Sequence, residues 1–413
     1  MLRKSNVVCA VEVGSSKICA LIAEVSADER LTVLGYHGAP ADGAVVKGEI
    51  VNMEKACAIL NNVLDRADKK SDSALDHCRL VTLLVTGCGI TSQQSIGSVR
   101  ISGVNSTVTA GDCRKAFMDA GNITLDANRQ CINMVNSSYT LDNRHLANPV
   151  GMVGRILEES VHIVHGQRHR VENFIAAVRS YSKLETVKIE ALFSPLACSL
   201  SVIEEQEGER GVVLVDIGAG TTEYLVSIEN GICGSGVFQV GMEHVANDLS
   251  IGLKLPIELC RQFLISGDLE KAVESGKEFL EFSVAGVRRK VSVRNCEVII
   301  DTRLREIFEI VRKELINKRL QVTYPAGGIL TGGGANCFRI AEIFREVFKM
   351  ECRIAAPQDE SGSFNDIGKP QFSAVWGALI GASQFAGEMV DSGKESLWSQ
   401  MWKKLCSIGG GER

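Results

Sequence analysis

The sequence predicts an α/β fold made of two related halves around a central cleft. Three observations carry that prediction. A strand–turn–strand unit bearing an acid occurs twice, first as Val11-Glu12-Val13-Gly14-Ser15-Ser16-Lys17-Ile18 and again as Val215-Asp216-Ile217-Gly218-Ala219-Gly220-Thr221-Thr222. Each copy opens a three-strand meander followed by helices. A third glycine-rich turn, Gly332-Gly333-Gly334-Ala335-Asn336, ends a buried apolar strand late in the chain. Small residues let turn N–H groups approach an anion closely, and an acid beside the turn suits a hydrated divalent cation. Two such hairpins, facing each other, are able to grip one nucleoside triphosphate from both sides. A backbone turn at a helix start adds a third set of donors.

The elements follow in order. Residues 6–13, 17–25 and 31–37 read as the first meander, followed by an amphipathic helix at about Met53–Lys69 and a strand at Leu80–Thr86. From 87 to 165 the chain turns rich in Ser, Thr, Asn and Gly, with one clear helix at Ala110–Ala120 capped by Thr109. This reads as an inserted subdomain, and its polar composition places it at the periphery. Ser194-Pro195 then reads as the N-cap and first position of a helix through Val202. The second half repeats the plan, with strands at 211–217, 222–228 and 231–238 and helices at about 242–252 and 256–265. A hairpin at Phe279–Val284 and Arg289–Val293 leads to a long helix over Val298–Leu320, and a helix at Ala374–Phe385 closes the body.

Composition narrows the function classes. The chain has 413 residues, too many for one core, with 45% hydrophobic residues, 5% aromatics and a net charge of −5. That balance lacks the basic excess of a nucleic-acid binder, so no nucleic-acid partner is expected. No apolar run approaches membrane-spanning length, and Glu12 interrupts the first one, which reads as a strand and not as a signal peptide. Fourteen cysteines occur without a single CxxC spacing, and many sit in apolar runs, as buried reduced thiols do. His162, His165 and His169 invite a metal reading, but a strand followed by a turn splays them and no nearby acid or Cys completes a site. No GxxxxGK[ST] loop is present.

Two acid-bearing hairpins and a late GGG turn resemble the actin/Hsp70/sugar-kinase superfamily. Within it, the chain resembles the FtsA family of bacterial cell-division proteins over essentially its whole length. The segment Gly43-Ala44-Val45-Val46-Lys47-Gly48-Glu49-Ile50-Val51-Asn52, the motif Asn148-Pro149-Val150-Gly151 and the stretch from Gly241 to Leu255 carry this likeness. The resemblance implies an actin-like ATPase fold. Subdomain 1A would comprise 1–86 and 166–208, 1C the insertion 87–165, 2A residues 209–240 and 325–388, and 2B residues 241–324. Residues 389–413 would be a linker and a membrane-targeting amphipathic helix.

Carried over by position, the resemblance implies ATP and Mg²⁺. Glu12 and Asp216 would organise the metal through water. Gly14, Ser15, Ser16 and Lys17 would meet the phosphates from one side, with Gly218, Gly220, Thr221 and Thr222 on the other. Gly241 and Glu243 would lie near the nucleotide, and Gly332, Gly333, Gly334 and Asn336 near the ribose and α-phosphate. No residue is assigned to catalysis. Rod-shape-type relatives carry Glu where this chain has Ser194, and serine accepts no proton at neutral pH, so slow ATP turnover at most is expected. The implied partners are the tubulin-like division polymer FtsZ, further copies of the chain in a filament, and later division proteins reached through 1C. The implied place is the cytoplasmic face of the cell membrane at the division site. Two alternatives share the core: a scaffold of pilus assembly like PilM, and a small-molecule kinase, for which no catalytic Asp or polar substrate pocket stands out.

The carboxyl terminus supports the membrane expectation from the residues themselves. Leu397, Trp398, Met401, Trp402 and Leu405 fall on one helical face, flanked by Lys394, Lys403 and Lys404 and stopped by Gly409-Gly410-Gly411. Such a helix of about 14 residues spans roughly 21 Å. Its burial in lipid is partial and ordering it costs entropy, so one tail is a weak anchor and many tails on a filament bind by avidity.

Overall fold

Two five-stranded sheets of the same topology organise the protein. The computed structural model describes residues 6–383 apart from 27–29, 88, 103, 285, 321–323 and 359–367. The expected carboxyl-terminal helix, Leu397 to Leu405, lies outside the described residues.

In the first half, β1 (Asn6–Val13), β2 (Lys17–Val25) and β3 (Leu31–Pro40) form the antiparallel meander. A small hairpin, β4 (Val45–Val46) and β5 (Glu49–Ile50), leads into helix α1 (Met53–Lys70), whose N-cap Asn52 accepts from the Lys55 N–H. Strand β6 (Cys78–Val85) returns parallel to β1. The chain then leaves for the insertion: β7 (Thr91–Arg100), α2 (Ala110–Ala120), β8 (Arg129–Leu141), β9 (Arg144–Leu146) and β10 (Ile156–Gln167). It re-enters through α3 (Arg168–Arg179), and β11 (Lys188–Phe193) adds parallel to β6, followed by α4 (Ser194–Val202) and α5 (Glu205–Arg210). The first sheet therefore runs β11-β6-β1-β2-β3.

The second half repeats this order. Strands β12 (Val212–Ile217), β13 (Thr222–Ile228) and β14 (Gly231–Phe238) form the meander, and α6 (Met242–Leu253), α7 (Ile257–Ser266) and α8 (Asp268–Glu274) follow. Hairpin β15 (Phe279–Val284) and β16 (Val287–Ser292) precedes the long α9 (Val293–Asn317). Strand β17 (Gly328–Thr331), α10 (Ile340–Phe348), β18 (Cys352–Ile354) and α11 (Ser373–Ser383) complete the chain. The sheet order is β14-β13-β12-β17-β18, with β17 and β18 parallel as β6 and β11 are. Near-continuous burial of β1, β2, β12 and β13 explains why these strands read as unbroken apolar runs.

The structure departs from the sequence reading in a few places. Ser194 is the first helical residue and not the cap; its hydroxyl donates to the Val85 carbonyl at 3.3 Å. The long helix begins five residues earlier than expected, at Val293. Helix α8 was not anticipated. The insertion is a four-stranded sheet, β7-β10-β8-β9, with α2 packed on β7 and β10, a regularity its polar composition concealed. Thr109 caps α2 in a reciprocal box with Asp112, as expected. Nor is the insertion peripheral throughout: β7 and β8 pack against β14 of the second half. His162 lies buried there, hydrogen-bonded to Ser235 Oγ at 2.8 Å, and burial pushes its pKa down to about 3. His165 accepts from Arg129 Nε at 2.7 Å instead. All described cysteines are free thiols, and among the described residues no three His, Cys, Asp or Glu side chains cluster as a metal site.

Candidate functional site

The two repeated hairpins meet tip to tip. In the first, the Gly14 N–H donates to the Lys17 carbonyl at 2.9 Å; in the second, the Gly218 N–H donates to the Thr221 carbonyl at the same distance. The acids stand at equivalent register positions, Glu12 opposite Cys19 and Asp216 opposite Glu223. Gly220 has to be glycine, because a Cβ there would lie 2.5 Å from Ser15 Oγ and 3.0 Å from the Lys47 Cα. Ser15 Oγ is itself fixed by the Gly48 N–H at 2.9 Å, which ties the 43–52 segment under the turns.

Between the halves the hairpins open onto a cavity of 740 Å³. Its walls include Glu12, Gly14, Ser15, Ser16 and Lys17 on one side and Asp216, Gly218, Gly220 and Thr221 on the other. Glu243, Gly332, Gly333, Gly334 and Asn336 line the far end. Two of the residues singled out in the sequence stand behind the wall. Thr222 is buried and its hydroxyl donates to the Val240 carbonyl at 2.8 Å. Gly241 caps α6, whose first amides donate backwards: Met242 to the Gly218 carbonyl at 3.0 Å and Glu243 to the Ala219 carbonyl at 2.8 Å. That helix start holds the second turn in shape. The triple glycine forms a short 3₁₀ turn, Gly333–Asn336, before α10 rather than leading straight into it.

The electrostatics of the two hairpins differ. Lys17 is paired with Glu12 at 3.0 Å, donates to the Gln371 carbonyl at 2.6 Å and sits 4.8 Å over the Phe372 ring. Burial works against its charge, but Glu12 outweighs that and holds its pKa above the ordinary lysine range. On the other side no cation is paired with Asp216 among the described residues. Burial pushes its pKa up to about 6, countered in part by the Cys198 thiol, which donates to Asp216 Oδ2 at 3.4 Å, and reinforced by Glu12. Glu223 is also buried, lines the cavity, and is raised by burial and by the neighbouring Asp216. Its Oε1 has no hydrogen-bond partner among the described residues. A buried carboxyl with an orphaned oxygen beside a second, partly buried carboxyl is a seat for a hydrated dication. The residues present therefore fit Mg²⁺.

Sequence reasoning passed over several wall residues. Glu223 carried a usable signal: it closes the second hairpin opposite Asp216, so period-two alternation puts both acids on one face. Arg261 and Gln262 of α7 and Gln371 before α11 carried none, since they reach the cavity only through folding. Arg261 is held by Glu243, its Nε 3.0 Å from both carboxylate oxygens, and by Glu258. Gln371 Oε1 accepts from Asn336 Nδ2 at 3.3 Å.

Comparison with known proteins fits this geometry. Residues 213–377 match the family described as cell division protein FtsA, and residues 87–165 match the SHS2 domain inserted in FtsA. The chain belongs to the FtsA family. Curated relatives include the cell division protein FtsA of Pseudomonas aeruginosa, 29% identical with 92% of this chain and 90% of the relative covered. That of Borreliella burgdorferi is 28% identical over 91% of this chain and 90% of its own length. Among solved structures, the PilM–PilN type IV pilus biogenesis complex matches with a TM-score of 0.61 at 14% identity, covering 90% of this chain and 97% of that one. At such identity the likeness is one of fold, and it supports the actin-like architecture. No helix among the described residues is long and apolar enough to cross a membrane.

Proposed function

We propose that the protein is an ATP-binding, filament-forming division adaptor that tethers FtsZ to the inner face of the cytoplasmic membrane and recruits later division proteins through the insertion. The observation that supports this most directly is the pair of facing hairpins around one cavity in a chain of the FtsA family. In this reading the phosphates lie between the turn at Gly14–Lys17 and the turn at Gly218–Thr221, with backbone N–H groups as donors and Lys17 as the counter-charge. Glu12, Asp216 and Glu223 would hold Mg²⁺ through water and not as direct ligands, and the ion would supply charge that screens the phosphates. Glu243, Arg261, Asn336 and the triple glycine face the nucleoside end. The wall offers Ser194 where a proton acceptor would stand, which supports slow turnover.

Membrane attachment is assigned to the terminal helix, with Leu397, Trp398, Met401, Trp402 and Leu405 in the interface and Lys403 and Lys404 beside anionic headgroups. The deciding experiment places a fluorescent fusion in dividing cells of the source bacterium. The expected result is a midcell band that Trp398→Glu with Trp402→Glu disperses. A diffuse or polar wild-type signal would reject the division role. Coupled phosphorylation assays with small sugars and acetate test the kinase alternative, and no transfer is expected.

A further inference from the structure

The insertion touches the edges of both sheets, and the contacts are of an unusual kind. Strand β11 is an edge of the first sheet, and its outward backbone groups have no neighbouring strand. Asn133, fully buried on β8, takes that neighbour's place: its Nδ2 donates to the Ala191 carbonyl at 3.2 Å and its Oδ1 accepts from the Phe193 N–H at 2.9 Å. These are the two groups that the next strand would bind. The residue that follows Phe193 is Ser194, which lines the cavity and starts α4, and Cys198 of that helix donates to Asp216.

The same inserted sheet holds β14, an edge of the second sheet. Gln94 Nε2 donates to the Cys233 carbonyl at 2.8 Å and to the Ile232 carbonyl at 3.1 Å, and Ser92 Oγ donates to the Ser235 carbonyl at 2.7 Å. Strand β14 pairs directly with β13, which carries Thr222 and Glu223. The backbones touch at Gly231, where a Cβ would lie 1.8 Å from the Ser137 carbonyl oxygen. One small sheet thus grips both walls of the cleft through side chains that stand in for strands.

We propose that the inserted sheet is a brace that fixes the floor of the nucleotide cleft, with Asn133 as a positioning residue acting through Phe193 and Ser194, and with Ser92 and Gln94 as its hold on the opposite wall. The proposal rests on the nucleotide reading of the cleft and adds to it a physical route by which contacts made on the insertion alter nucleotide residence. Loosening either grip lets the two walls part more readily, so release quickens while entry is little changed.

The test uses the full chain with Mg²⁺ and a fluorescent ATP analogue displaced by excess ATP. Ser92→Ala with Gln94→Ala alters partly exposed side chains and keeps the core intact. It is expected to speed release about fivefold or more, with association within about twofold of wild type. Asn133→Ala is expected to do more, and Asn133→Asp, which keeps the acceptor for Phe193 but sets a buried carboxylate oxygen against the Ala191 carbonyl, at least as much. Met118→Ala, on the exposed side of α2, is the control. Backbone amide exchange over 196–199 without nucleotide is the second readout, and it should quicken in both Asn133 variants. Wild-type release rates in the Ser92/Gln94 variant would overturn the brace. If the wild type binds no nucleotide, the cleft reading fails, and unchanged exchange over 196–199 then overturns the brace separately.

Discussion

The two phosphate-type hairpins share a backbone and differ in charge. Both turns close with the same N–H to carbonyl bond at 2.9 Å, and both acids face a cross-strand neighbour in the same register. In the first hairpin, Lys17 neutralises Glu12 and the neighbour is a thiol, Cys19, whose proton points at Glu12 Oε2 over 3.5 Å. In the second, Thr221 stands where Lys17 does and the neighbour is another acid, the buried Glu223. Duplication thus kept the geometry that orders a turn, while substitution at two positions divided the labour. The lysine side supplies positive charge to an anion, and on the double-acid side burial favours bound protons that a dication would displace.

The largest effect expected from breaking this comparison is at Asp216. Asp216→Ala should weaken Mg²⁺-dependent ATP binding by about 100-fold or more, read by calorimetry. Asp301→Ala, which removes only a partly exposed ion pair with Arg339 away from the cavity wall, should stay near wild type. Equal affinities for the two variants would remove the metal assignment. Next comes Lys17→Met, expected to cost roughly tenfold to 100-fold in ATP affinity with or without metal, because it removes charge from the phosphate side and leaves Glu12 unpaired. A loss seen only with metal present would mean that the two sides do not divide the work as argued.

A smaller effect concerns protons. Burial raises Asp216 to about 6 from 3.8, so the folded protein keeps a proton between about pH 4 and 6 that the unfolded chain has lost. This group therefore favours folding at low pH, and its contribution, on the order of 3 kcal/mol, is lost as pH rises through 6. Melting curves of the nucleotide-free protein should show Asp216→Asn gaining on wild type between pH 4.5 and 7.5. Mg²⁺ affinity should climb over the same range, since metal and proton compete. Glu223→Gln sharpens the point with the mildest change: metal-free nucleotide binding within about threefold of wild type, and a reduced metal dependence. An unchanged metal dependence would make Glu223 a structural acid only.

The amino-acid sequence by itself determined the duplicated meanders, the two acid-bearing turns and most element boundaries, because these depend on local periodicity and on small residues at turns. The Thr109 cap and the strands at 6–13 and 222–228 are written in neighbouring residues, and their burial on both faces only strengthens the pattern. Helix α8 and the early start of α9 were missed because polar positions there carry weak periodicity. Tertiary structure alone decided which residues meet. Ser194 gave up capping for a bond to Val85, at the end of the neighbouring strand. Glu223 became a site residue when the hairpin set it beside Asp216, and Arg261, Gln262 and Gln371 joined the cavity from elements distant in the chain. The insertion shows the division most clearly. Its Asn, Ser and Gln content reads as loop or surface, since a sequence records polarity and not the partner that satisfies it. Folding placed Asn133 and Gln94 against two open sheet edges, where an amide side chain supplies the hydrogen bonds that a missing strand would have made.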